Sequence, residues 1–127
     1  MTQAAALDLQ AMCASALMEH LRAADGVSYS LERYLRVFAM SPEAFAVHAG
    51  VSRSVLRRAS ESTRVQGFIR DALRVVLAVA ALDRTLFWFR NEPLSTFDYQ
   101  TAEELVSRGW TGQVLQFVAS WQAGGQG

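Results

Sequence analysis

The chain has 127 residues, of which 51% are hydrophobic and 19% charged, which supplies a real core and argues against disorder. Twelve arginines balance twelve acids, so no global charge draws the chain to nucleic acid or to an anionic membrane. A single cysteine, Cys13, excludes an internal disulfide and a cysteine-rich zinc site, and reads as packing within an alanine-rich helix.

No run of about 18 uncharged apolar residues occurs, so no membrane span is expected. The first residues lack the basic region of a secretory signal, and the expected location is cytoplasmic. Residues 2–24 read as one long helix, free of Pro and Gly, with Leu7, Ala11, Ala14, Leu17, Met18 and Leu21 on its apolar face. It packs on its own domain or dimerises, and Asp25-Gly26 ends it. Ser28 or Ser30 caps the next helix, about 31–38, with Leu31, Tyr34, Leu35 and Phe38 on one side. Ser41-Pro42-Glu43 starts a third, with a capping serine, proline at the first helical position and an acid in the first turn. Gly50 permits a sharp turn after Ala49, and Ser52 caps a helix reaching about Ser60.

The spacing over 42–60 is that of a helix-turn-helix, with small Ala46 four residues before Gly50 and Val51, Val55 and Leu56 as anchors. Ser52, Arg53, Ser54, Arg57 and Arg58 face outward and are the candidate DNA contacts. An arginine fork can bond two acceptors on guanine, while serines suit phosphate. On an α-helix Arg53 and Arg57, four apart, share a face. Residues 51–90 carry eight arginines against Glu61, Asp71 and Asp83, a surplus of +5 in a chain that nets to zero. Such unevenness suits a nucleic-acid face, although an arginine-rich helix is also an ordinary solvated face. A short reading helix buries little surface, so a homodimer is expected.

Gly67 interrupts the pattern at 62–67, predicting a loop between an N-terminal lobe, 1–66, and a C-terminal unit, 67–127. A long helix from Phe68 to Phe89 then acts as a central strut, with Ile69, Leu73, Val76, Leu77, Ala80 and Leu86 along one stripe and Val75, Val79 and Leu82 widening it. Phe87, Trp88 and Phe89 close that helix and must point different ways, one of them towards the surface. Asn91-Glu92-Pro93-Leu94 stops it. Thr101 and Glu104 form a capping box, Gly109 suits a left-handed helix end, and a last helix runs from about Gln113 with Val114, Leu115, Phe117, Val118 and Trp121. Trp88 and Trp121 are expected to pack in the core. The fold class is therefore all-α.

The order Trp88, Arg90, Asn91, Pro93, Leu94, Phe97, then Thr101, Glu104, Leu105, Val106, Gly109, Val114 and Gly124 resembles the toxin-binding domain of the Xre/MbcA/ParS-type antitoxin family. The resemblance is close over the last third of the chain and looser over the middle third. The sequence departs from that pattern near Tyr99, where the family usually has glycine, near Ala102, where it often has proline, and at Trp110, where relatives tend to be polar or basic. The resemblance implies a DNA-binding, dimeric N-terminal lobe acting on its own operator. It also implies a C-terminal domain that occludes a partner toxin, in many relatives an NAD-consuming enzyme of the RES type. Asn91, Glu92, Pro93, Arg108 and Trp110, at predicted helix ends, are the candidate partner contacts, since Trp and Arg dominate interface energetics.

Nothing in the sequence reads as an active site, a metal site or a cofactor site. His20 and His48 stand on separate helices without triad or metal spacing, and His48 reads as a helix-surface residue. Adjacent Glu103 and Glu104 point about 100° apart and suit capping and the helix dipole. The alternatives to an antitoxin-like regulator are a stand-alone adaptor of the same fold with neither toxin nor operator, and a plain repressor.

Overall fold

The computed structural model describes residues 14–79 and 82–124, all of them helix, turn or loop apart from two isolated backbone bridges. The expected apolar positions Leu7 and Ala11, and Cys13, lie outside the described residues. The protein is all-α. No helix among the described residues is long and apolar enough to cross a membrane.

Helix α1, Ala14–Leu21, seats Leu17 and Leu21 fully in the core. It ends before the expected Asp25-Gly26, because Arg22 and Tyr29 pair their backbones across the turn. The Asp25 carboxylate holds that turn by accepting the amides of Val27 and Ser28 and the Ser28 hydroxyl. Since Asp25 occupies Ser28, Ser30 becomes the cap of α2, Leu31–Val37, accepting from the Arg33 amide. Helix α3, Pro42–Ala49, has the expected start: Ser41 accepts from the Ala44 amide, and Pro42 stands where no amide partner is needed. Gly50 ends it in the left-handed region, φ 71°.

Three expectations fail from here. The segment Arg53–Glu61 is a 3-10 helix kinked at Arg58, φ −120° and ψ 43°, and the Ser52 side chain makes no capping bond. Helix α4, Thr63–Ala78, begins where a loop was expected, because Ser62 caps it through the Val65 amide. Gly67 therefore sits inside a helix, and residues 66 and 67 are consecutive in one element. The expected long strut is two helices: Val79 is extended, φ −100° and ψ 147°, and α5, Leu82–Asn91, follows as a separate element packed on α4. No Gly or Pro marks this break. The wide apolar stripe read over 68–89 belongs to two helices that each bury a face.

After α5, Leu94 and Gln100 pair their backbones around a 3-10 turn, Ser95–Phe97. Helix α6, Ala102–Ser107, carries both arms of the Thr101–Glu104 capping box. Gly109 takes φ 85°, and α7, Thr111–Gly124, completes the fold. Helix α4 is the strut, touching α3, the 3-10 segment, α5, α6 and α7.

One core runs from Leu17 and Tyr34 through Phe45, Phe68, Ile69 and Leu73 to Leu105, Val114 and Val118. Its aromatic centre is Tyr34, stacked on Phe38 at 4.1 Å and met edge-on by Phe45 at 5.5 Å, with Phe45 edge-on to Phe68 at 5.3 Å. Phe45→Ala should therefore cost about 3–5 kcal/mol in chemical denaturation, the range for deleting a buried phenyl ring. Val47→Ala, two residues along on the exposed side, should stay within about 0.5 kcal/mol.

Candidate binding surfaces and a buried ionic cluster

The five candidate DNA contacts, Ser52, Arg53, Ser54, Arg57 and Arg58, are all exposed. Their geometry is not that of an α-helical reading head. At 3.0 residues per turn, positions three apart eclipse, so Arg53 and Arg57 stand about 120° apart instead of nearly overlapping. Both still border one groove of about 600 Å³, with Leu31 and Leu35 of α2 opposite. Arg53 is bound by Glu43 of α3, and Arg58 lies 3.9 Å from Glu61. Arg57 has no ion-pair partner among the described residues, so it carries the least compensated charge of the set. Ser52 and Ser54 hydroxyls bond each other at 3.0 Å.

The candidate partner contacts also lie on the surface. Asn91, Glu92 and Pro93 are exposed at the end of α5, where the Asn91 amide donates to the Phe87 carbonyl at 3.1 Å. Arg108 and Trp110 flank Gly109, with the guanidinium 5.6 Å from the indole centroid, a cation–π distance. Arg108 also bonds the Gln100 side chain, whose backbone pairs with Leu94. The loop after Pro93 is thereby linked to the α6–α7 corner. Trp88 is half-buried and stacks on Trp121 at 6.3 Å, but Trp121 is 52% exposed, so the expectation of core packing fails for it. Phe87 is the outward member of its aromatic trio.

Tyr99 stands out for a different reason. It adopts φ 63° with a ring 70% exposed, beside Asp98 at φ 57°. A left-handed backbone is strained for a bulky side chain and natural for glycine. The resemblance placed a family glycine near this position, but residue type alone does not reveal the backbone angle.

The sequence reading missed a buried ionic cluster. Glu103, in the first turn of α6, is 3% exposed. Its Oε1 lies 3.4 Å from Arg90 Nε of α5 and 3.6 Å from His48 Nε2 of α3. Arg90 Nη1 donates in addition to the carbonyls of Phe38 and Ala39, at 2.6 and 2.9 Å. Glu103 Oε2 and the Tyr34 hydroxyl are buried without a hydrogen-bond partner among the described residues. Burial pushes the Glu103 carboxyl above its ordinary value, and the charges of His48 and Arg90 pull it back only in part. Burial likewise pushes the Tyr34 hydroxyl up, and the Glu103 charge adds to it. His48 is not a simple surface residue: it stacks on Phe68 and pairs with Glu103.

Among the described residues no three His, Cys, Asp or Glu side chains are grouped to hold a metal ion. Comparison with family models, with curated proteins and with solved structures finds no match to this chain.

The cluster has a pH signature whose sign is fixed. Because the folded-state value of Glu103 is raised above 4.5, the folded protein binds the proton more tightly than the unfolded chain. The Glu103 contribution to stability is therefore full below pH 4.5 and is lost as pH rises through the raised value. Thermal unfolding of Glu103→Gln, which cannot titrate, should lack this downward component, so the Tm difference between variant and parent should shift in favour of the variant as pH rises. A pH-independent difference would show that Glu103 does not titrate in this window.

Proposed function

We propose that this chain is an antitoxin-like, non-catalytic cytoplasmic regulator that binds a partner protein through its C-terminal helices and DNA through the surface following α3. The observation that carries the reading is the distribution of exposed aromatic rings. Six large hydrophobic side chains are prominently exposed among the described residues, and four of them, Phe87, Tyr99, Trp110 and Trp121, fall in α5–α7 and their connections. Aromatic rings with an arginine beside them are the usual anchors of protein interfaces. Strain held at an exposed Tyr99 supports the same reading, because a strained residue with no packing role is one that function retains. The family resemblance supplies the partner class, a toxin of the RES type.

DNA contact rests on the arginine surplus and the exposed serines. With Arg53 engaged by Glu43 and the segment wound as a 3-10 helix, the surface suits phosphate contacts better than base reading. A homodimer would double that small footprint. The same local geometry favours the alternative, a stand-alone adaptor of this fold that uses the aromatic face and no operator.

Three variants separate these readings. Capture of the tagged protein from its native host should recover one stoichiometric partner, and Trp110→Ala should weaken that complex by about 2 kcal/mol, or roughly thirtyfold. Tyr99→Gly should raise the Tm by relieving about 1 kcal/mol of backbone strain while weakening capture. Binding to operator-region DNA should fall steeply with salt, and Arg57→Ala should reduce the salt slope by about one phosphate contact. A salt-insensitive or absent DNA complex with intact partner capture would leave the adaptor reading.

A further inference from the structure

The geometry points to a second binding site, an oxyanion cleft sized for the phosphate group of a small phosphorylated ligand, at the seam of α3, α4 and α6. The cleft encloses about 280 Å³ and lies away from both surfaces described above, apart from Arg108 at its rim. His48 and Ala49 form one wall, the first two turns of α4 the floor, and Ser107, Arg108 and Gly109 the other wall.

Its charge is one-sided. Arg64 and Arg108 line it against a single carboxylate, Asp71, while His48, also in the lining, turns its Nε2 to Glu103. That carboxylate is already committed. Asp71 Oδ1 accepts from Arg70 at 3.1 Å and lies 3.5 Å from Arg74, and Oδ2 accepts from the Thr111 hydroxyl at 3.3 Å. Neither Arg70 nor Arg74 lines the cleft, so Asp71 is neutralised from outside and the cations of the lining are left in excess.

Donor capacity remains at the same place. Arg64 spends only its Nε, on the Ala49 carbonyl at 3.0 Å, and its two terminal nitrogens have no bonding partner among the described residues. Thr63 is the first residue of the sixteen-residue α4, so its hydroxyl stands at the positive end of a long helix dipole. Guanidinium forks and hydroxyls at such an end are the donors that a tetrahedral oxyanion recruits. Ser107 contributes no donor, since its hydroxyl is given to the Glu104 carbonyl.

Gly67 keeps the floor open. A Cβ built there would meet only the tip of Arg70, at 3.8 Å, so a larger side chain can be placed at this cleft-lining position to obstruct it. This gives a test that does not depend on removing a structural arginine.

The full chain is titrated with inorganic phosphate at constant ionic strength, chloride serving as the compensating salt. Amide chemical shifts are followed at residues 48–49, 63–67 and 107–109. Saturable shifts confined to these residues are expected. Gly67→Leu should abolish them while keeping the unfolding temperature at or above the parent's, and Arg64→Gln should weaken the apparent affinity about tenfold. Shifts that grow linearly without saturation, that spread over the whole arginine surface, or that survive unchanged in Gly67→Leu would overturn the site. Displacement of phosphate by a short DNA duplex of arbitrary sequence would overturn its assignment to a small ligand.

Discussion

Arg90 is the joint between the two ends of the chain. Its guanidinium sits where α2 ends, donating to the carbonyls of Phe38 and Ala39, and reaches Glu103 of α6 with its remaining edge. Those carbonyls are the negative pole of a short helix, so a fixed cation there is favourable twice over. The guanidinium geometry is needed for the role: one planar group serves two carbonyls and a carboxylate, which a lysine ammonium on a flexible stem does poorly. Glu103 is held in the core as a consequence. A carboxylate that is 3% exposed is tolerable only beside compensating charge, and Arg90 and His48 supply it from two other helices.

That joint explains why the C-terminal helices form one body with the rest despite being short. Helix α6 has six residues, too few to be stable alone, and is fixed by its capping box, by Leu105 in the core and by Glu103 on Arg90 and His48. Helix α4 provides the apolar counterpart, burying Val65, Ile69, Ala72, Val75 and Val76 completely. The apolar strut and the ionic joint leave Phe87 and Trp121 exposed, while Phe89 stays fully in the core.

Local chemistry was legible in the sequence where it acts within a few residues. Ser41 with Pro42, Thr101 with Glu104, and the left-handed turns at Gly50 and Gly109 all stand as read, because a cap or a positive φ needs no distant partner. The failures are tertiary. The break at Val79 has no glycine or proline to announce it, and arises where α5 departs to pack back on α4. Gly67 was read as a loop because glycine costs about 1 kcal/mol within a helix, yet the Ser62 cap and five fully buried residues of α4 outweigh that. Glu103 looked like a solvated first-turn acid, since its partners Arg90 and His48 lie on other helices and only the fold brings them together.

Ala39 and Tyr99, two of the three left-handed non-glycine positions among the described residues, carry their strain in different surroundings. Ala39, at φ 52°, is fixed by Arg90, which bonds its carbonyl and that of Phe38 before it. Its strain is offset by the joint that holds the fold together, and alanine is small enough to keep the cost low. Tyr99, at φ 63°, receives only a backbone bond from its amide to the Leu94 carbonyl, which glycine would make equally well. Its ring makes no aromatic contact among the described residues and points into solvent. Nothing in the packing among the described residues offsets the strain at Tyr99 in the way that Arg90 offsets it at Ala39.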